Sequence, residues 1–137
     1  MRIVVDTNAF VAAGFKPASA CARILAAVRE GRATGGGALV LVWDDATRDE
    51  TRRVLERIPR LGFAAVADLF REEARFAGET APEYFVMVED RADRRFAALA
   101  SAADAVLVTS DAHLLGPAAS LPCVVETPGA FARRVGL

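Results

Sequence analysis

Lysine is nearly missing from this chain: Lys16 is the single one, and arginine supplies the rest of the 17 basic residues. A phosphoryl-accepting signalling domain carries acids at strand ends but needs a lysine beside them, so that class ranks last. Cysteine is almost as scarce. Cys21 and Cys123 lie far apart, behind no signal-like N-terminus, and read as two buried reduced thiols of a cytoplasmic protein rather than a disulfide. No apolar run has the length of a membrane span, and no repeat, linker or low-complexity tract occurs. Neither sign of charge is in excess. With 17 basic and 18 acidic residues the net charge is −1, which excludes a protein that wraps long polyanions by global attraction. Any contact with nucleic acid must be local. Gly35-Gly36-Gly37 lacks the Lys-Ser or Lys-Thr of a phosphate cradle and reads as a loop.

What is present suits one compact domain over residues 1–137. A chain of this length buries about two-thirds of its unfolded surface, and 53% hydrophobic residues, many of them alanine, supply a core of closely packed helices. The first strand is read at about residues 2 to 6, followed by a loop through Lys16-Pro17 and a helix from about Ser19 to Glu30 that Gly31 stops. A second strand covers about 38 to 43. The next helix ends near Ile58-Pro59. Asp68 to Phe76 reads as another helix, Tyr84 to Val88 as a short strand, and a helix beginning near Asp93 feeds a strand at 105 to 109. Pro122-Cys123-Val124-Val125 is a last short strand, and Pro128 opens a terminal helix. This alternation predicts an α/β fold, a three-layer sandwich with a central parallel sheet and helices on both faces.

Four acids stand where an ordinary domain would place something apolar or neutral. Asp6 closes the apolar run Ile3-Val4-Val5, and Asp111 follows Ala105-Val106-Leu107-Val108 through Thr109-Ser110. In parallel α/β sheets that strand edge is where ligands bind. Glu50 interrupts the apolar i,i+4 series Ala46, Val54, Ile58, and Asp93 shares a helix face with Phe96, Ala97 and Ala100. Brought together, the four would repel one another and call for a divalent cation. Asp93 and Asp111 also suit helix N-termini. Asp44, Asp45, Asp49, Asp90 and Asp104 read as caps or solvated charges, and His113 suits a surface or cap position better than a general base.

The pattern resembles the PIN-domain nucleases. In that family a first strand ends in Asp-Thr-Asn, as in Asp6-Thr7-Asn8; an early helix supplies a Glu, matched by Glu50; a third acid opens a stretch like Asp93 to Ala100; a fourth closes a Thr-Ser-Asp like Thr109-Ser110-Asp111. The resemblance extends to a closing Thr-Pro-x-x-Phe, Thr127 to Phe131. Trp43 departs from it, because the family's second strand runs into a small polar residue there. The resemblance implies a PIN-like fold and a metal-dependent endoribonuclease in which Asp6, Glu50, Asp93 and Asp111 hold one or two Mg²⁺ or Mn²⁺ ions. Glu50 is then a ligand or the orienter of the attacking water, and Asn8 and Thr109 hold the acids or the water by hydrogen bonds, Asn8 being preferred. It implies RNA as substrate and, for a chain this small, a toxin-type protein held inactive by a cognate antitoxin and able to form a homodimer.

Arginines flank the four acids. Arg48, Arg52, Arg53, Arg57 and Arg60 form a ladder on and just beyond the Glu50 helix, and Arg91, Arg94 and Arg95 crowd the start of the Asp93 helix. Arg48, Arg52, Arg94 and Arg95 are candidates for positioning phosphates. The competing expectation is a solvated face in which Arg53 pairs with Asp49 and Arg94 with Asp90. The apolar Leu61 to Phe85 region, with Phe63, Phe70 and Phe76, covers the core rather than a twin subunit. Two other functions fit the same residues: a non-catalytic RNA- or partner-binding protein, and a metal-dependent phosphatase.

Overall fold

The computed structural model describes all residues 1–137. The first strand, β1 (Arg2–Val5), runs directly into a helix, α1 (Thr7–Phe15), in place of the expected loop. Two facts explain the difference. Asp6 caps α1 by accepting the Ala9 N–H at 3.0 Å, and the helix is apolar or small on nearly every side, so no polar face marks its period. The next helix, α2 (Ala20–Glu30), is capped by Ser19 and stopped by Gly31 in the left-handed region at φ 64°.

Two short strands, β2 (Ala33–Thr34) and β3 (Gly37–Ala38), form an antiparallel hairpin around the glycine run that was read only as a loop. The next strand, β4 (Val40–Leu41), is shorter than the expected 38 to 43. Its pairing continues as Val42 N–H donates to the Ile3 carbonyl, and Trp43 then turns away to bridge Arg75. The indole N–H of Trp43 donates to the Arg71 carbonyl at 2.7 Å. This large residue is therefore a buried peg for the 71–76 segment.

The helix α3 (Asp45–Glu56) begins with a capping box between Asp44 and Thr47. Its buried face is Thr47, Glu50, Thr51 and Leu55, while Ala46 is exposed, so the apolar stripe read from the sequence was rotated by about one position. Glu50 still points inward. Neither the helix expected over 68–76 nor the strand over 84–88 forms; three single 3-10 turns, Ala67–Leu69, Glu72–Ala74 and Pro82–Tyr84, take their place. Only Leu69 is fully buried between 67 and 76, too few anchors on one face to hold a helix. Phe70 instead packs on Phe10, Phe63 and Trp43 with ring centres 5.3 to 6.0 Å apart.

The remaining elements are α4 (Arg91–Ala102), β5 (Val106–Val108), α5 (Ala112–Leu115), a fourth 3-10 turn (Ala118–Ser120), β6 (Val125–Glu126) and α6 (Pro128–Val135). Thr127 caps α6, and Gly136 closes it at φ 82°. Strands β4, β1, β5 and β6 form, in that order, an all-parallel sheet. Alternation along β1 divides the core between two faces. Ile3 and Val5 join Phe10, Ile24, Val28, Leu55 and Phe131 on one side. Val4 joins Phe96, Leu99, Leu107 and Leu114 on the other. Helices thus cover both faces, as expected of the three-layer sandwich. No single helix is long and apolar enough to cross a membrane.

Candidate active site

The site begins with register. Val5 pairs with Val108, so the next residues along, Asp6 and Thr109, stand side by side where β1 and β5 end. From β1 the chain goes to β4 on one side and returns to β5 on the other. The sheet's switch point therefore lies between these two strand ends, and a crevice opens there. Asp6 is 2% exposed and Thr109 fully buried. The Thr109 hydroxyl donates to Asp6 Oδ2 and accepts the Asp111 N–H at 2.9 Å, tying the two strand-end acids through one side chain. Asp111 in turn caps α5, accepting the His113 N–H at 2.9 Å.

The helices complete the cleft. Asp93 sits in the first turn of α4, which Asp90 caps through the Ala92 N–H. Glu50, on the inward face of α3, is 8% exposed. It accepts from Arg53 one turn along, with the Arg95 guanidinium 3.8 Å away. Thr7 and Thr51, hydroxyl oxygens 3.1 Å apart and buried, join α1 to α3. All four acids line one cavity of about 180 Å³ with Asn8, Asp90 and Phe96 among its other walls.

Electrostatics in the cleft are strained. Burial pushes the Asp6 carboxyl up to about 6, against the opposing hydrogen bonds from Thr109 and Ala9 and with a further push from Asp111. Asp93 is pushed up to about 7, by burial first, then by the facing Asp111 carboxyl and its charge, then by Asp90 and Asp6. With the carboxylates ionised, Asp93 Oδ2 is buried without a hydrogen-bond donor. A proton shared with Asp111 or a bound cation would satisfy it, and four converging carboxyls with one orphaned oxygen fit a hard divalent ion.

Other sequence expectations fall differently. Asn8 lines the cleft but makes no hydrogen bond to the acids, whereas Thr109 does. Arg48 lies over the Trp43 ring at 5.0 Å, and Arg52 over Phe63 at 5.8 Å while bonding Glu56; neither lines the cleft. Arg94 donates to the Val88 carbonyl instead of pairing with Asp90, and Arg53 pairs with Glu50 instead of Asp49. Arg91, Arg94 and Arg95 line a polar groove of about 320 Å³ with Pro82 and Glu83. Arg53 was missed as a neighbour of the acids, although its i,i+3 spacing from Glu50 carries that signal. Cys21 and Cys123 are both free, Cys21 buried as expected and Cys123 only partly so.

A family model described as PIN domain matches residues 2–113, a stretch that holds all four acids. A comparison with curated proteins gives no match. Among solved structures, a chain of VapBC2 from Rickettsia felis, bound to a DNA fragment from their promoter, superposes with a TM-score of 0.61. It is 15% identical, over 93% of this chain and 98% of that one. A chain of FitAB bound to an IR36 DNA fragment gives a TM-score of 0.54 at 18% identity, over 92% of this chain and 94% of its own. At these identities the structures attest the fold, and the family match spans most of the sequence. The chain belongs to the PIN domain family.

Proposed function

We propose that this protein is a metal-dependent endoribonuclease of the toxin type, using Asp6, Glu50, Asp93 and Asp111. One observation carries the reading: in a chain of a nuclease family, four acids from β1, α3, α4 and the end of β5 meet in one cleft, and one of their buried oxygens has no donor. Asp6, Asp93 and Asp111 are the proposed ligands of Mg²⁺ or Mn²⁺, with Glu50 as a further ligand or as the group that orients the attacking water. When bound, such an ion supplies positive charge that polarises the phosphodiester and eases deprotonation of water.

The chain's own residues do the remainder. Thr109 fixes the Asp6 carboxylate by donating to it, and Arg53 and Arg95 hold Glu50 at the cleft wall. Arg94 and Arg95, with Arg91, offer guanidinium groups beside the cleft for the phosphates that flank the scissile bond. The toxin-type reading and a protein antitoxin as partner rest on the fold shared with VapBC2 and FitAB chains. A homodimer belongs to the same reading.

The test is cleavage of a panel of single-stranded and structured RNAs with Mn²⁺, Mg²⁺ or EDTA, beside a folded Asp93→Asn variant. The expected outcome is ion-dependent cutting that the variant lacks. Turnover of a phosphomonoester without RNA cutting would point to a phosphatase, and ion binding with no turnover of either to a non-catalytic binding protein. Cutting that survives Asp93→Asn removes that residue from the mechanism.

A further inference from the structure

His113 is the only histidine of the chain and sits two residues past Asp111, on the first turn of α5. Its Nδ1 lies 3.7 Å from Asp93 Oδ2, the orphaned oxygen, and 3.7 Å from Asp111 Oδ1. Both distances are too long for hydrogen bonds. They are the right length for something else. Two donor atoms on one small divalent ion, each about 2.1 Å from it, stand between about 3 and about 4.2 Å apart, and 3.7 Å falls inside that window. The donor atoms of Asp90, Asp93 and His113 also lie within 4.8 Å of one another.

The other ring nitrogen points outward. Nε2 faces Glu89 Oε2 at 3.9 Å, so the imidazole points one nitrogen at the acids and the other at an outer carboxylate. Metal-bound histidines typically give the outer N–H to a carboxylate; Glu89 lies on that side of the ring, beyond hydrogen-bond distance.

Resting on the proposed metal site, we infer that His113 is a nitrogen ligand of that site. Its bond to the ion makes the donor set mixed rather than all-oxygen. Mg²⁺ is served by oxygen donors and keeps several of its waters; Mn²⁺, although the weakest binder of the first-row series, accepts an imidazole nitrogen more readily than Mg²⁺ does. The site therefore discriminates against Mg²⁺ in favour of Mn²⁺, and the discrimination resides in one side chain that is nearly half exposed. Glu89 stands on the outer side of that ring.

Mn²⁺ and Mg²⁺ affinities are measured by calorimetry on the whole protein, with pulsed electron paramagnetic resonance of the Mn²⁺-loaded form to detect a directly bonded nitrogen. The wild type, His113→Gln and Glu89→Gln are compared, each checked for folding by circular dichroism. The expected results are a nitrogen coupling that His113→Gln abolishes, and a fall of about tenfold or more in Mn²⁺ affinity for that variant with Mg²⁺ affinity nearly unchanged. Glu89→Gln keeps the coupling and loses less affinity. Mn²⁺ binding with no nitrogen coupling, or an Mn²⁺ to Mg²⁺ preference that survives His113→Gln, overturns the assignment while leaving the acid site intact. Failure of the wild type to bind either ion overturns both this assignment and the proposed metal site.

Discussion

Asp93 and Asp6 show at the scale of single residues what it costs to hold acids together without a counter-ion. Both carboxyls titrate higher in the folded chain than in the unfolded one, at about 7 and about 6. The folded state therefore keeps protons that the unfolded state has released. The penalty is absent below about pH 4, grows as pH rises, and is complete above about pH 7. For Asp6 alone it is of the order of 3 kcal/mol. In EDTA, the melting temperature should consequently fall by several degrees between pH 5 and pH 7.5. Asp45 and Asp68, whose pKa values their arginine partners lower, stay ionised throughout that range and do not mask the trend. Asp93→Asn should flatten the slope, melt higher than the wild type in EDTA at pH 7.5, and gain no further stability from added Mn²⁺. A melting temperature that rises with pH would show that burial does not dominate these two groups.

At the scale of elements, α3 and α4 matter because each carries one acid and neither belongs to the sheet. Asp44→Ala removes the capping box of α3 and should cost about 1 kcal/mol of stability, read by urea unfolding. If the entry turn also fixes the register of Glu50, cleavage should fall further than that loss of folded protein explains. Arg94→Ala with Arg95→Ala should weaken RNA binding measured in EDTA, where cutting cannot intervene; unchanged affinity would remove the groove on α4 from the substrate path. The elements also show what could be read beforehand. Strands β1 and β5, helices α2, α4 and α6 and the inward turn of Glu50 were legible because caps, glycine stops and apolar runs coincide there. Helix α1 was not, because Asp6 serves as both its cap and a cleft acid and the helix has no polar face. The 57–90 region was not legible either, since its anchors Leu69, Phe85 and Val88 are isolated points on irregular chain. Thr109 was outranked by Asn8 because only the register of β1 with β5 reveals which hydroxyl meets Asp6.

For the whole molecule, a net charge of −1 means that binding to a polyanion rests on a few guanidinium groups. If Arg91, Arg94 and Arg95 account for it, the logarithm of the affinity for single-stranded RNA should fall with the logarithm of salt concentration at a slope of about −2. A slope several times steeper would require contacts from a wider surface, or from a second subunit. The two cores lie on either side of the sheet, and the cleft opens beyond the strand ends, sharing only Phe96 with the core. Changes to the cleft's chemistry are thereby separated from changes to the packing.

That separation has a genetic consequence. Asp6 and Asp111 reach backbone N–H groups at helix starts, and asparagine accepts the same bonds. A single transition in an aspartate codon yields asparagine. Under the proposed function, a copy of the same shape with less internal repulsion and no cutting activity therefore lies one nucleotide away, with whatever the surface binds left in place.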